Sequence, residues 1–279
     1  MISSSPTREA IKHLTLFLGA LIVLLPFYVM LSYSFKSPKE IETNTGGFFG
    51  AQAMMVDEHC VALGNPRKDC EQRPVVFNYT QAFKESPLLR YMLNGVIVTA
   101  SIFFFQVLIS VPAAYALSKL QWWGRDTVFQ LVLFSLLIPI HAIALVIPWT
   151  ISVFGIFLMR QFFKTVPDEL LDAARLDGMS EFSIIWRVML PTAIPALMAF
   201  GIFSVVAHWN DYFWPKIVIT GDRELFTPPL GLREFKGDAD GSAWGPMMAT
   251  ATVIVMPLIV AFLLAQKKFI EGITLSGFK

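Results

Sequence analysis

Long uncharged apolar runs, several of them long enough to cross a bilayer, constrain this chain more than any other feature. The first is Leu14 to Phe35, and others occupy roughly 92–117, 127–159, 188–209 and 244–266. A helix needs about 20 mostly apolar residues to span the hydrocarbon. A helix packed on a soluble core would keep charges along one face, and these runs carry none. Only 15% of the residues are charged, where soluble domains hold about a quarter. The expectation is an all-α, polytopic helical membrane protein embedded in a lipid bilayer. The first run is too long for a typical secretion signal and is not followed by a small-residue cleavage site, so it reads as an uncleaved first span.

Basic residues favour the cytoplasmic side. Arg8 and Lys12 precede the first span, and Lys119 and Arg125 follow the second. Arg160, Lys164, Arg175 and Arg187 mark 160–187, and Lys267, Lys268 and Lys279 follow the last span. Both termini are therefore expected inside, with 1–13 as a cytoplasmic N-terminus, 14–279 as the membrane domain, and 36–91 and 215–243 outside. Lys36 and Lys39 lie in the outer segment, so the bias is one of density. The uncharged stretch Thr127 to Met159 fits this scheme poorly. As one helix it would be about 50 Å long, well beyond the hydrocarbon core. Two crossings with a turn need about 40 residues, more than it has. Its flanks both read as inside, which favours a hairpin broken near Pro139, His141 and Pro148 and about six spans in all. A re-entrant hairpin is the alternative.

Cys60 and Cys70 are the only cysteines and share the segment 36–91. Outside the cytoplasm they could form a disulfide; two free thiols is the other reading. Asp57-Glu58-His59-Cys60 has no second ligand cluster at metal spacing, so a solvated loop is expected and no metal. No basic stripe could follow phosphates, which excludes nucleic acid as a partner.

Residues 164–187 form a polar stretch between spans. Pro167, Asp168 and Glu169 read as a helix start, with acids at the positive end of the dipole. The helix should run to about Leu176, with Gly178 in the left-handed position that ends it. Ser180 can cap a second helix through Trp186, and Pro191 sits just inside the next span. Leu170, Ala173, Ala174 and Asp177 share one face at helical spacing, where small side chains allow close approach of another surface. A plain surface loop with helix-favouring alanines is the competing reading.

Asp172-Ala173-Ala174, then Gly178, then Val188-Met189-Leu190-Pro191 resembles the EAA motif of ABC importer permeases. That motif is Glu-Ala-Ala, three residues, Gly, nine residues, then Ile-x-Leu-Pro; here Asp replaces Glu and Val replaces Ile at the same spacing. Phe154-Gly155-Ile156-Phe157-Leu158, Pro167-Asp168-Glu169-Leu170, Trp209-Asn210-Asp211 and Gly272-Ile273-Thr274 look like the carbohydrate-uptake branch, and more narrowly its maltose-transporter MalG-type subunit. The resemblance covers nearly the whole chain from the first span on. It implies the type I importer permease fold in a bacterial inner membrane. It also implies a separate ABC ATPase dimer, a second permease subunit forming a heterodimer, an extracytoplasmic solute-binding protein and a sugar or polyol substrate. It assigns 164–187 as the coupling loop that docks in a cleft of the ATPase, with Asp172, Ala173, Ala174 and Gly178 carrying that role. The shorter Asp172 could contact Arg175, three residues on. The family carries a further stretch between its third and fourth spans, where Ile140 to Leu145 here runs almost straight into Val146-Ile147-Pro148.

Polar groups inside spans are costly and often functional. Asn94, Ser101, Gln106, Ser110, His141, Ser204, His208, Asn210 and Asp211 are the candidates. His208, Trp209, Asn210 and Asp211, near Tyr212 and Trp214, could line a sugar path; an interfacial aromatic belt with capping polar groups is the other reading. Ser101 and Ser110 suit helix packing. The chain has no Gly-x-x-x-x-Gly-Lys-Ser/Thr, His-Glu-x-x-His or Gly-x-Ser-x-Gly, so it is not expected to be an enzyme or to need a cofactor. A secondary transporter driven by an ion gradient is the main alternative; it would favour repeated halves and intramembrane acids, and neither is evident. An intramembrane hydrolase has only His208 near Asp211 to suggest it.

Overall fold

A computed structural model of the chain describes residues 6–44, 47–49, 54–135, 149–219, 223–235 and 243–276. Its helices are α1 (Pro6–Ser34), α2 (Pro38–Glu42), α3 (Glu58–Ala62), α4 (Pro74–Glu85), α5 (Leu88–Ser118), α6 (Arg125–Ser135), α7 (Val153–Phe163), α8 (Asp168–Leu176), α9 (Glu181–Thr192), α10 (Ile194–Trp209), α11 (Phe213–Val218), α12 (Pro228–Gly231) and α13 (Trp244–Ser276). Strands β1 (Met55–Val56) and β2 (Glu71–Gln72) pair antiparallel, Met55 opposite Gln72 and Val56 opposite Glu71.

Among the described residues, α1, α5 and α13 are long and apolar enough to cross a membrane, and the pair α9–α10 would make a fourth crossing. That pair corrects the reading of 188–209 as one uninterrupted run: it bends by 82°. The cause is local. Pro191 and Pro195 have no N–H to donate, so the hydrogen-bond ladder is interrupted on both sides of Ala193. The amide of Ala193 divides its bond between the carbonyls of Met189 and Leu190, each at 3.1 Å. Pro139, His141 and Pro148 lie outside the described residues, as does the turn expected between the third and fourth spans. The expected six spans depend on that stretch, which the 11-residue helices α6 and α7 flank.

The chain divides into two compact units, Met1–Arg90 with Leu230–Met256 and Tyr91–Pro229 with Pro257–Lys279. In the first, the segment after α1 is folded. Ser37 and Glu40 form a reciprocal capping box at the start of α2. Asn78 of α4 is fully buried, and its Nδ2 donates to the carbonyls of Ser34 and Lys36, both at 2.9 Å. These are carbonyls at and just beyond the end of α1 that its own ladder cannot satisfy. Asp57 caps α3 by accepting from the amides of His59 and Cys60. Cys60 and Cys70 are bonded to each other, with Cα atoms 5.7 Å apart, and Lys84 of α4 reaches Asp57 at 3.1 Å.

In the second unit, one core cluster joins five helices. It comprises Val111, Ala114 and Tyr115 of α5, Met159 and Phe163 of α7, Leu171 and Ala174 of α8, Ile184, Ile185 and Met189 of α9, Ala196 of α10, and the linking residues Val166 and Ala193. Ser152 caps α7 through the amide of Gly155 at 3.0 Å. Gly155 lets α7 meet α10 closely, since a Cβ there would sit 2.4 Å from Cζ of Phe200.

Candidate functional site

The segment 164–187 is a helix–turn–helix attached directly to the core. α8 starts after Pro167 with Asp168 and Glu169 in its first turn. It ends as the sequence predicts: Gly178 adopts φ +77°, its amide donates to the Arg175 carbonyl at 3.0 Å, and the Met179 amide donates to Ala174 at 3.1 Å. Those two bonds define a Schellman ending and satisfy carbonyls that would otherwise be orphaned. Ser180 then caps α9 by accepting from the Ser183 amide at 3.3 Å, and α9 continues past the expected Trp186 to Thr192.

The structure splits the face drawn through Leu170, Ala173, Ala174 and Asp177. Ala174 points inward with Leu171; they are 6% and 2% exposed and sit in the core cluster. Leu170, Ala173, Leu176 and Asp177 face away from it, Leu176 at 90% exposure. The reason is geometric. The small side chain of Ala174 lets α8 pack closely against its own chain, which turns the neighbouring Ala173 outward by about 100°. The two alanines therefore sit in different environments: one anchors the loop, the other belongs to an exposed apolar face.

Charged side chains hold both ends of the loop. Arg175 donates from Nε to Glu181 at 2.8 Å and from Nη1 to Asp172 at 3.1 Å. Glu181 also accepts from the hydroxyl of buried Tyr115. The Arg175 guanidinium, and then the Tyr115 hydroxyl, hold the Glu181 carboxyl below its ordinary pKa. At the other end, the nearly buried ammonium of Lys119 donates to Asp168 at 2.6 Å and to the Val166 carbonyl. That ammonium likewise lowers the Asp168 pKa. Sequence reasoning found Asp172 with Arg175 and missed Tyr115, Lys119 and Glu181.

The path candidates are dispersed. Asn210 donates to the Val206 carbonyl of its own helix at 2.8 Å. Asp211 accepts from the amides of Phe213 and Trp214 at 3.1 and 3.3 Å, which makes it the cap of α11. Trp209 is 4% exposed. His208 Nδ1 lies 2.7 Å from the Ser204 carbonyl, so Nδ1 carries the proton and Nε2 is left as an acceptor. His208 and Asp211 are thus each engaged elsewhere, which does not suit a hydrolytic pair. Ser204 donates to Gln106 at 2.5 Å, Gln106 donates to the Trp149 carbonyl at 2.9 Å, and the Trp149 and His208 rings meet edge to face at 5.2 Å. Buried His208 Nε2 and Trp149 Nε1 have no partner among the described residues. Asn94 pins α5 to the carbonyls of Glu224 and Phe226, Ser110 lies against the Ser152 carbonyl, and Ser101 is exposed. No group of three or more His, Cys, Asp or Glu that could hold a metal occurs among the described residues.

Apolar spans, a bent helix pair and a Gly-terminated helical loop fixed to the core define a helical membrane protein. The sequence pattern of one family, described as "Binding-protein-dependent transport system inner membrane component", matches residues 79–274. The chain belongs to that family. It is 29% identical to the inner membrane ABC transporter permease protein YcjP of Escherichia coli (strain K12), over 95% of this chain and 94% of that one. It is 33% identical to a probable ABC transporter permease protein, YurM, of Bacillus subtilis (strain 168), over 72% and 73%. It is 27% identical to the sn-glycerol-3-phosphate transport system permease protein UgpE of Brucella abortus (strain 2308), over 98% of each. In fold it matches a chain from the crystal structure of a bacterial ABC transporter that imports the acidic polysaccharide alginate. The TM-score is 0.73 at 20% identity, covering 96% of this chain and 99% of that one.

Proposed function

We propose that this chain is one of two permease subunits of an ATP-driven importer that brings a neutral sugar or polyol into a bacterial cell by alternating access. Both termini face the cytoplasm, a solute-binding protein delivers the solute from outside, and a separate ATPase dimer supplies the energy. α8 is the coupling helix. Its exposed face of Leu170, Ala173 and Leu176 seats in the ATPase, Gly178 fixes its end, and Asp172 orients it through Arg175. The observation that carries this reading is the attachment of α8. Leu171 and Ala174 lock it into the same core as α5, α7, α9 and α10 while its opposite face stays open. A helix held on one side and open on the other can pass displacement inward without unfolding. Relatives named for arabinooligosaccharide transport support the solute class. Of the path candidates, His208 is the best placed to meet a hydroxyl, through an acceptor nitrogen that has no partner among the described residues.

Gentle extraction of the tagged chain from its native membrane, with mass spectrometry of what co-purifies, tests the reading. Recovery of a P-loop ATPase and a second polytopic subunit is expected. A chain that emerges alone, under conditions that preserve other ABC complexes, would favour a carrier driven by an ion gradient.

A further inference from the structure

We propose that α5 receives the movement of α8 through two side chains one turn apart, Tyr115 and Lys119, which grip opposite ends of the 164–187 loop. This rests on the coupling role proposed for α8. Lys119 directly follows α5, and its amide donates to the Tyr115 carbonyl at 2.8 Å, so positions 115 and 119 share one face at i and i+4 spacing. Lys119 holds the entry to the loop through Asp168 and the Val166 carbonyl. Tyr115 holds the exit through Glu181, which Arg175 ties back to α8 and Asp172. The loop is therefore closed on α5 at both ends by directional bonds, three of them involving charged groups. Apolar packing alone tolerates sliding, whereas charge-assisted hydrogen bonds fix position and are about twice as strong as neutral ones. The phenol ring is 1% exposed, and the Lys119 side chain is 6% exposed. Neither belongs to the outward face of Leu170, Ala173 and Leu176, so both act as positioning residues and not as docking contacts.

α5 is continuous from Leu88 to Ser118. Nine residues before Tyr115, about 14 Å along the axis, lies Gln106. It accepts from Ser204 of α10 and donates to the Trp149 carbonyl, next to His208. A displacement of α8 passed to the end of α5 shifts Gln106 against those partners. The loop and the polar cluster inside the spans are thereby connected through one continuous helix, which carries Pro112 between Gln106 and Tyr115.

The test uses the transporter complex as it co-purifies. Spin labels are placed at Leu108→Cys on α5 and Phe203→Cys on α10, both exposed in this chain, and their distance is measured with and without ATP plus vanadate. In the otherwise native chain the distance changes on trapping. Tyr115→Phe keeps the ring and removes only the hydroxyl, and Lys119→Gln removes the charge. Together they are expected to reduce the change to less than half, while Lys119→Arg retains most of it. Only assembled complex, isolated by size exclusion, is measured, so reduced yield does not mimic the effect. An undiminished change in the double variant overturns the proposal, as does failure of both single variants to assemble. If no ATPase co-purifies, or trapping leaves the native distance unchanged, the functional reading itself fails.

Discussion

The guanidinium carbon of Arg160 lies 3.4 Å from the centroid of the Phe129 ring. Its Nε donates to the Leu117 carbonyl at 2.8 Å, and an Nη lies 3.4 Å from Asp126. One side chain on α7 thus stacks on α6 and satisfies a carbonyl in the last turn of α5. Asp126 is 71% exposed, so that pair contributes little; the stacking and the buried carbonyl dominate. Arg160→Ala should destabilise by about 2–4 kcal/mol, because the Leu117 carbonyl loses this donor and the ring its cation. Arg160→Lys should recover only part of this, since an ammonium lacks the planar face. Thermal unfolding in detergent checks both, and equal stability of the Lys variant and the native chain would exclude the stacking role.

Gly178 has φ +77°, and nothing lies within 4 Å of where a Cβ would sit. The penalty for a side chain there is conformational and not steric crowding. Gly178→Ala should cost about 1–2 kcal/mol locally, β-branched Val more, and Asn less, because Asn tolerates the left-handed region. If the end of α8 governs coupling, ATP hydrolysis by the purified complex should become progressively less responsive to solute-binding protein in the order Asn, Ala, Val. A uniform response across the series would show that this ending matters only for folding.

The Gly178 ending was legible because it is local: a helix pattern, a glycine at fixed distance and a capping serine within a few residues. The split between Ala173 and Ala174 was not, since spacing shows which residues share a face but not which surface that face meets. Tyr115 with Glu181 left no trace in the sequence, because the two are far apart along the chain and either residue alone is unremarkable. Pro191 was visible, but the bend at Ala193 needed Pro195 as well, and an apolar run reads the same straight or bent. Asp211 looked like a path residue by type, yet it caps α11, which is how a carboxylate near a helix end is usually satisfied.

Cys60 and Cys70 close a short loop between α3 and β2, alongside the Asp57 amide that donates to the Cys70 carbonyl at 3.0 Å. A bridge of this span stabilises by about 2–4 kcal/mol, mainly by restricting the unfolded segment. Thiol alkylation of the denatured chain should label neither cysteine unless reductant is added first. Cys60→Ser with Cys70→Ser should raise proteolytic cleavage within 54–72 while leaving the 164–187 loop unaffected. Labelling of both thiols without reductant would show that they are free in the native membrane.

The low pKa of the Glu181 carboxyl makes the loop's attachment dependent on pH. A carboxyl held below its ordinary value contributes stability that is fully present above that value and lost as pH falls through the lowered one. Arg175 and Tyr115 should therefore hold Glu181 fully at neutral pH and release it only in acid, below the ordinary 4.5. Glu181→Gln keeps the shape and removes the charge, so its stability deficit should be largest near neutrality and shrink as pH falls below that range. Asp57 and Asp168 are lowered too, by Lys84 and Lys119, and they titrate in both chains; the difference between the chains isolates Glu181. Unfolding temperatures of the native and Glu181→Gln chains, measured from pH 7 down to the limit of detergent stability, give that difference directly. A deficit that stays constant with pH would mean the variant acts through packing and not through the ion pair.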